Sequence, residues 1–363
     1  MHSLWCLRTT MTRRTILSIA AFVLIGGLAL FQYSRRLQEY RSDQFLMDTL
    51  ISITVYGKNQ ELLRTAIAAA YAEMRRIAEL ADGFPQPGTA AWRSSDICRI
   101  NDQAGKAPVP VDDDTVAMLL LALKYTRLSH GAFDITVGPL VELWGFGGKN
   151  PHVPSREQIR AALTLVSSED VIVNERDHTA YLRKAGMKLD LGAIAKGYAT
   201  EKALQVLVRH GINKALIDAG GNIRVLGLNP RNSSWRIGIK DPRTSDAIVA
   251  ILPLVDTSAV TSADYYRAFE EDGTRYHHIL NPRTGYPATH TISATVITKD
   301  AGLADILSTV FFVLPPDESL ELAATIPGVE LFLVTADRRI RHSTTLLGTV
   351  EVLQGEAYRY DQK

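Results

Sequence analysis

The chain has 363 residues, enough for roughly two domains of average size or one large one. Lys and Arg number 40 against 39 Asp and Glu, and 46% of the residues are hydrophobic, which is the composition of a globular protein. This balance excludes a disordered, collagen-like or coiled-coil protein. No basic excess, Lys/Arg run or zinc-finger spacing indicates a nucleic-acid partner. The two cysteines, Cys6 and Cys98, exclude a disulfide scaffold and a Cys-rich metal site.

An uncharged, apolar segment at residues 15–33 follows Arg13 and Arg14 near the N-terminus. Its length suffices for a helix that crosses a bilayer, and it lacks the polar face that a buried core helix normally keeps. The basic flank is typical of an export signal or anchor, and the paired arginines resemble a twin-arginine signal. We therefore expect residues 1–40 to be a retained transmembrane anchor in the inner membrane, with the rest of the chain in the periplasm. Cleavage of the segment would instead release the rest into the periplasm.

The elements that follow mix strands and helices without a regular βαβ rhythm. Apolar spacing predicts helices at 62–80 and 116–128, and a stretch rich in Gly, Pro and Ser predicts a loop at 81–95. Strands rich in β-branched residues are predicted at 47–56, 215–217, 223–226, 235–240 and 248–255. The pattern favours an α+β fold with mixed or antiparallel sheets and packed helices. We expect residues 41–355 to form one domain, followed by a C-terminal tail at 356–363.

A short strand, a tight turn and a helix are predicted over residues 187–208. The turn at Asp190 points free backbone N–H groups and the positive end of the helix at whatever lies above it. Lys196, in an early turn of that helix, lies against the helix dipole, which favours a bound anion nearby. A strand, turn and helix of this kind are more often structural, and neither a P-loop nor a Rossmann fingerprint is present. Both interpretations stay open.

A mostly apolar helix predicted at 301–313 carries three polar residues on one face. Asp305 and Thr309 are four residues apart and Ser308 lies between them, so the three side chains are neighbours. A carboxylate in a buried helix needs a partner. That partner is either an Arg or Lys or a hard cation such as Mg²⁺, because carboxylate and hydroxyl oxygens suit this ion.

An Asp-Gly pair at 272–273 stands between two runs rich in aromatic residues and predicts a hairpin with a two-residue turn. This register places Phe269 opposite Tyr276 and His278 beside Arg267. The charge of Arg267 disfavours imidazolium, so the His278 ring would stay neutral near pH 7, as a general base requires. A single histidine on a strand is more often structural, and that alternative stays open.

Seven segments, read in order, resemble the ApbE family of FAD:protein FMN transferases. They are MDTLISI, SDICRIND, GAFDITVGPLVELWGFG, KLDLGAIAKGYAT, LIDAGGNIRVLG, VTSADYYRAFEEDGTRYHHILNPRTGYP and ADILSTVFFVL. The similarity extends from about residue 43 to near residue 353. The resemblance implies an α+β protein that binds FAD and Mg²⁺ in a cleft between two lobes. Such a protein cuts the pyrophosphate of FAD, joins FMN through a phosphoester to a Thr or Ser of a partner flavoprotein, and releases AMP.

The resemblance also implies roles for individual residues. His278 matches the histidine that is proposed to act as the base. The residues that match FAD contacts are Met47, Trp92, Ala132, Phe133, Asp134, Asp190, Lys196 and Leu280. The residues that match Mg²⁺ ligands are Ala193 through an oxygen, Asp305, Ser308 and Thr309. Ser308 occupies a position where some relatives carry a second aspartate, and Phe84 competes with Trp92 as the aromatic residue that contacts the flavin.

Two other functions remain open at this stage. Water in place of the acceptor hydroxyl would make the protein an FAD pyrophosphatase that yields FMN and AMP. A protein that binds or delivers FAD without forming a bond is the third possibility. For the transferase, we expect the acceptor to be a subunit of a membrane redox complex that faces the same exported compartment.

Overall fold

The computed structural model of the protein describes residues 37–146, 148, 150–353 and 358–360. The apolar segment at 15–33 and Cys6 lie outside the described residues, whereas residues 38–40 at the end of the predicted anchor belong to strand β1. Inside them, no helix combines the length and the apolar character that a membrane span requires. The described residues cover most of the domain that the sequence predicts.

Strands and helices are interspersed along the described residues. The strands are β1 (Gln38–Leu46), β2 (Thr49–Gly57), β3 (Val109–Pro110), β4 (Val171–Asn174), β5 (Thr179–Leu182), β6 (Ala215–Ala219), β7 (Asn222–Leu226), β8 (Trp235–Lys240), β9 (Ile248–Leu254), β10 (Ser258–Ala263), β11 (Ala268–Glu271), β12 (Thr274–His277), β13 (Thr291–Thr298), β14 (Glu330–Thr335), β15 (Arg339–His342), β16 (Glu351–Val352) and β17 (Arg359–Tyr360). The α-helices are α1 (Gln60–Ala81), α2 (Ala90–Ser94), α3 (Asp96–Asp102), α4 (Asp113–Leu128), α5 (Gly138–Trp144), α6 (Arg156–Leu163), α7 (Ala195–Arg209), α8 (Ala301–Val313) and α9 (Pro316–Thr325). Short 3₁₀ helices lie at Ser168–Asp170 and Thr344–Leu346.

A large sheet forms the centre of the described structure, with the strand order β1-β2-β6-β7-β10-β13-β14-β15-β17. Its neighbouring strands are antiparallel except for the parallel pair β15 and β17. Helices α1, α7 and α8 pack on one face of this sheet and bury the larger core. The small sheet β16-β9-β8 covers part of the other face and closes a second core. This arrangement confirms the predicted α+β class with antiparallel pairing.

The long helices begin where the sequence places a capping side chain. The Asn59 side chain accepts hydrogen bonds from two backbone N–H groups at the start of α1, and Asp112 accepts one from Asp114 at 2.9 Å at the start of α4. Such caps satisfy donors that have no partner inside the helix. Both helices therefore begin slightly before the apolar periodicity does, and the predictions at 62–80 and 116–128 are confirmed with small shifts of their N-termini.

Two local predictions need correction. The strand predicted at the start of 187–208 is absent, since Lys188 forms only one isolated bridge, with Val137, before the chain turns towards α7. The loop predicted at 81–95 contains the short helix α2, which Thr89 caps through its hydroxyl. Both differences lie in irregular segments, where the periodic stretch of sequence is too short to distinguish a helix, a strand and a loop.

The hairpin predicted from the Asp-Gly pair is confirmed. Strands β11 and β12 pair with Phe269 opposite Tyr276, and Asp272 and Gly273 both adopt left-handed backbone conformations, with φ of 49° and 73°. Two consecutive positive φ values are the signature of a type I′ turn, for which Asp-Gly is a favoured sequence. Strand β12 ends at His277, so His278 lies just beyond the ladder.

Candidate functional site

The turn before α7 forms the first part of the candidate site. Asp190 Oδ1 accepts a hydrogen bond from the Gly192 N–H at 2.7 Å, and the Lys196 ammonium donates to the Gly192 carbonyl at 3.1 Å. Burial raises the pKa of the Asp190 carboxyl, while the Gly192 N–H and the Lys196 charge oppose that shift. The tight turn predicted at this position is therefore confirmed, and Lys196 lies close to Asp190.

Helix α7 touches α8 through a glycine. The Gly197 N–H donates to Asp305 Oδ2 at 2.8 Å, and the other Asp305 oxygen accepts no hydrogen bond from the described residues. A Cβ atom on Gly197 would lie 2.2 Å from the Ala301 carbonyl oxygen and 2.6 Å from Asp305 Cβ. Only a residue without a side chain allows the backbone of α7 to bind the buried carboxylate of α8.

This contact changes the hydrogen bonding at the start of α7. In a regular helix the Gly197 N–H would donate to the carbonyl four residues earlier, which belongs to Ala193. Because that N–H binds Asp305 instead, the Ala193 carbonyl accepts no hydrogen bond in the described part of the chain. The contact therefore leaves a backbone oxygen without a partner at the turn that leads into α7 and next to the α8 carboxylate.

We expect the Gly197→Ala variant to be destabilised by about 1–3 kcal/mol, because the added methyl group overpacks the contact with α8. The added methyl group should also displace Asp305, and it should weaken Mg²⁺ binding if Asp305 holds the ion that the sequence predicts. Thermal unfolding and a Mg²⁺ titration measure the two effects. Gly302→Ala is the matched control, since a Cβ atom there would approach no atom closer than 3.3 Å and alanine favours a helix. A Gly197→Ala variant as stable as the Gly302→Ala variant would contradict this account of the contact.

Three hydroxyl groups gather beside Asp305. Ser308 Oγ lies 2.7 Å from Ser262 Oγ and donates to the Asp305 carbonyl at 2.8 Å. Ser262 Oγ also lies 3.4 Å from Thr309 Oγ1. Sequence reasoning missed Ser262, because its strand, β10, is remote in sequence from α8 and only the packing of the two elements brings it to the cluster.

The oxygen atoms of this region fit a hard cation. Among the described residues, no group of three or more His, Cys, Asp or Glu side chains could hold a metal ion. The candidate ligands are instead one carboxylate, on Asp305, with the Ser308 and Thr309 hydroxyls and the Ala193 carbonyl. Oxygen ligands of this kind suit Mg²⁺, which usually keeps waters and binds substrate phosphates as well. No Arg or Lys of the described chain forms an ion pair with Asp305, whose carboxylate is bonded to the Gly197 N–H instead.

His278 lies in a segment that fixes its tautomer. Its Nδ1 donates to the Tyr266 carbonyl at 3.1 Å, which leaves Nε2 as the ring's proton acceptor. Burial, and then the Arg267 charge, lower the pKa of His278 to about 3, so the ring is neutral at pH 7. The expected direction of the shift holds, although burial contributes more than Arg267. The neighbouring His277 is turned inward, with Nε2 2.8 Å from the Ala288 carbonyl, and is structural.

Charges connect His278 to the turn before α7. Lys196 and Arg267 both lower the pKa of His278, and both favour the ionised form of Asp190. Interactions of this kind decay with distance and are screened by solvent. The two cations therefore act on both His278 and Asp190, and Gly197, next to Lys196 on α7, links this turn to Asp305.

Met47 lies in a turn. The predicted strand at 47–56 begins only at Thr49, because Met47 and Asp48 adopt left-handed conformations, with φ of 53° and 59°. The glycine turn between β6 and β7 packs against this segment, since a Cβ atom on Gly220 would lie 2.1 Å from Thr49 Oγ1. The placement of Met47 on a strand is therefore wrong, and the residue belongs to the β1–β2 turn.

The segment around Asp134 is held by its own hydrogen bonds. Asp134 Oδ1 accepts from the Thr136 N–H and hydroxyl at 2.8 and 2.7 Å, and Oδ2 accepts from the Ser168 N–H at 3.2 Å. Burial raises the pKa of Asp134. Ala132 and Phe133 are buried in the main core. The three side chains thus hold the loop in place.

Two of the residues matched to FAD contacts show no link to the region around Asp190. Leu280 is buried in a small core with Trp144 and Ile159. Trp92 is half-buried on the short helix α2, while its competitor Phe84 is exposed. Within the described residues, neither Trp92 nor Leu280 has a hydrogen bond or ring contact with the groups around Asp190 and His278.

The sequence model of the ApbE family matches residues 47–333. The chain belongs to the ApbE family. The matched range includes every residue assigned above to the candidate site. An FAD:protein FMN transferase of Treponema pallidum is 35% identical over 333 residues, which cover 88% of this chain and 90% of that protein. An FAD:protein FMN transferase of Klebsiella pneumoniae is 36% identical over 303 residues, 83% of this chain and 90% of that protein.

Solved structures of the family share the fold. The ApbE protein of Thermotoga maritima superposes with a TM-score of 0.78 at 36% identity, over 86% of this chain and 99% of that chain. The flavin transferase ApbE of Vibrio cholerae gives a TM-score of 0.74 at 26% identity, over 86% of this chain and 100% of that chain. The α+β architecture described above is therefore that of the ApbE family.

Proposed function

We propose that this ApbE-family protein transfers the FMN moiety of FAD to a Thr or Ser hydroxyl of a target flavoprotein. The observation that carries the proposal is the His278 imidazole, whose Nδ1 is bonded to the Tyr266 carbonyl so that Nε2 can accept a proton. A second observation supports it, since Gly197 joins the turn that holds Lys196 to the Asp305 carboxylate. The names of its relatives, FAD:protein FMN transferases, support the same reaction. FAD hydrolysis and FAD delivery are the alternatives that the test below separates.

His278 acts as the base in this reaction. Its Nε2 takes the proton of the acceptor hydroxyl while that oxygen forms a bond to the FMN phosphorus. The bond from this phosphorus to the bridging oxygen of the diphosphate breaks, and AMP leaves with the electron pair. The hydrogen bond from Nδ1 to Tyr266 keeps Nε2 free to accept the proton.

The chain offers positive charge to the diphosphate of FAD and oxygen ligands to a cation. Lys196 and Arg267 supply positive charge beside Asp190, and the N-terminus of α7 adds its dipole. Asp305, Ser308, Thr309 and the Ala193 carbonyl would hold Mg²⁺. When bound, the ion offsets the charge that develops on the diphosphate.

The remaining FAD contacts follow the family pattern. We assign them to Met47, Trp92, Ala132, Phe133, Asp134, Asp190, Lys196 and Leu280. Packing against the Gly220 turn fixes the turn that contains Met47, and hydrogen bonds of the Asp134 carboxylate fix the loop that contains Asp134. For Trp92 and Leu280 the support is the match to the family alone.

We also propose that the apolar segment within residues 1–40 anchors the protein in the inner membrane, so that the domain that begins with β1 works in the periplasm. The apolar segment at 15–33 behind paired arginines supports this placement. The acceptor would then be a flavoprotein subunit of a membrane redox complex on the same side. Protease treatment of spheroplasts tests the placement, because a domain protected from external protease would contradict it.

Incubation of the full-length protein with FAD, Mg²⁺ and a candidate acceptor tests the function. Mass spectrometry of the acceptor should find one added FMN-phosphoryl group, with AMP released in equal amount. The control acceptor carries Val in place of the target Thr and should gain no mass. Free FMN without an adduct would indicate hydrolysis, and intact FAD would indicate binding or delivery.

A further inference from the structure

An ion pair joins two loops of the candidate site that are far apart in sequence. Arg267 Nη2 donates to Asp48 Oδ2 at 2.9 Å, although the two residues are 219 positions apart. Asp48 belongs to the turn between β1 and β2, next to Met47. Arg267 stands between the end of β10 and the start of β11. The pair therefore connects the Met47 turn to the segment that precedes the hairpin.

Each partner is adjacent to a residue with an assigned task. Met47 precedes Asp48 and is assigned to the flavin, while Tyr266 precedes Arg267 and accepts the hydrogen bond from His278 Nδ1 at 3.1 Å. A displacement of Arg267 would move the Tyr266 carbonyl, because the two residues share a peptide bond. The ion pair thus couples the turn on the flavin side to the peptide that orients the imidazole.

Stability does not explain this pair. The side chains are 49% exposed for Arg267 and 78% exposed for Asp48, and ion pairs at such exposure contribute little to folding. Both partners nevertheless occupy left-handed conformations, with φ of 40° for Arg267 and 59° for Asp48. Non-glycine residues adopt such conformations at an energetic cost, and they concentrate at functional sites.

We propose that Asp48 and Arg267 are positioning residues, whose ion pair holds His278 in register with the FMN phosphate. The inference rests on the proposed function, and it adds two residues that the match to the family did not assign. In this role Asp48 and Arg267 act through Met47 and Tyr266, in addition to the positive charge that Arg267 offers to the diphosphate, and neither residue takes part in proton transfer. Breaking the pair should slow the chemical step more than it weakens FAD binding, because small misplacements of reacting groups are costly.

The Asp48→Asn variant tests the pair, since Asn also tolerates a left-handed conformation. We expect kcat for FMN transfer to fall about tenfold, with FAD affinity, measured by flavin fluorescence, unchanged within about twofold and thermal stability unchanged. The matched control is Asp43→Asn, which breaks the exposed pair between Arg41 and Asp43, also 2.9 Å long. Asp43 lies on β1, which leads into the turn that contains Asp48, and its ion pair does not involve the segment around His278. The Asp43→Asn variant should therefore retain kcat.

A double-mutant cycle shows whether the two residues act together. Arg267→Gln removes a charge near His278 and so has an effect of its own, but Asp48→Asn should cause no additional loss in that background. Nitrogen NMR of the ligand-free protein adds a readout that needs no FAD. In the wild type, the His278 ring should be the Nδ1–H tautomer, and Asp48→Asn should mix the two tautomers.

The outcomes separate the two proposals. A wild-type protein that forms no FMN adduct would overturn the proposed function, while the tautomer measurement would still test the ion pair. A wild type that transfers FMN, with Asp48→Asn retaining kcat and a single His278 tautomer, would overturn the positioning role alone. Additive losses in the double variant would also overturn it, because they would show that the residues act separately.

Discussion

Replacing His278 by Ala should slow FMN transfer by about 100- to 10,000-fold, the usual effect of removing a positioned base. FAD binding should remain, because the imidazole is neutral and no Mg²⁺ ligand or cation is lost. Single-turnover transfer, followed by mass spectrometry of the acceptor, measures the rate. A flavin fluorescence titration of the same variant measures FAD affinity.

The adjacent histidine offers the control. His277 is buried, its Nε2 lies 2.8 Å from the Ala288 carbonyl, and its ring packs edge-on against Phe312. His277→Ala should therefore lower the unfolding temperature while the folded fraction still transfers FMN. Added imidazole should restore part of the activity of His278→Ala and none to a destabilised variant. Transfer at the wild-type rate by His278→Ala would remove this residue from the mechanism.

Replacing Asp305 by Asn should slow Mg²⁺-dependent transfer by about 100-fold or more. The variant lacks the carboxylate that is proposed to hold Mg²⁺, and without the ion the charge that develops on the diphosphate is not offset. The amide oxygen of Asn can still accept the Gly197 N–H, so the contact between α7 and α8 should survive. Transfer rates over a Mg²⁺ series, together with calorimetric Mg²⁺ binding, measure the effect. The half-saturating Mg²⁺ concentration should rise strongly.

The same substitution on the same helix gives a matched control. Asp300 caps α8 by accepting a hydrogen bond from the Leu303 N–H at 2.9 Å, and Asn caps helices about as well as Asp. Asp300→Asn should therefore keep both stability and Mg²⁺ dependence. An unchanged Mg²⁺ response in Asp305→Asn would show that the carboxylate does not hold the ion.

The parts of the fold that local chemistry determines were predictable. Helix α8 spans the predicted 301–313, because Asp300 provides a cap and the apolar run behind it is continuous. The hairpin turn follows from an Asp-Gly pair that tolerates positive φ. Met47 and Asp48 form a left-handed turn without glycine, and the β-branched pattern of 47–56 carries no signal for such a turn.

The parts of the site that depend on distant contacts were not predictable. Ser262 lies 46 positions from Ser308, and Gly197 lies 108 positions from Asp305. Neither pairing leaves a periodic signal in the sequence, because each arises only when the helices pack on the sheet. The helix pattern suggested Asp305 as a candidate ligand and the resemblance to the ApbE family added Ala193, but the hydrogen bond that leaves the Ala193 carbonyl without a partner is visible only in the structure.

The Gly197 N–H bond to Asp305 would make the proposed ion site a product of complete folding. On its own, the peptide of α7 would close the ordinary helical bond and occupy the Ala193 oxygen. A partly folded chain with α8 undocked would therefore have little Mg²⁺ affinity. Because the ion would bind only the finished structure, millimolar Mg²⁺ should raise the unfolding temperature by mass action. Cation occupancy would then report whether α8 has docked on α7, and an apoprotein prepared with chelator should be easier to unfold at the contact between these two helices.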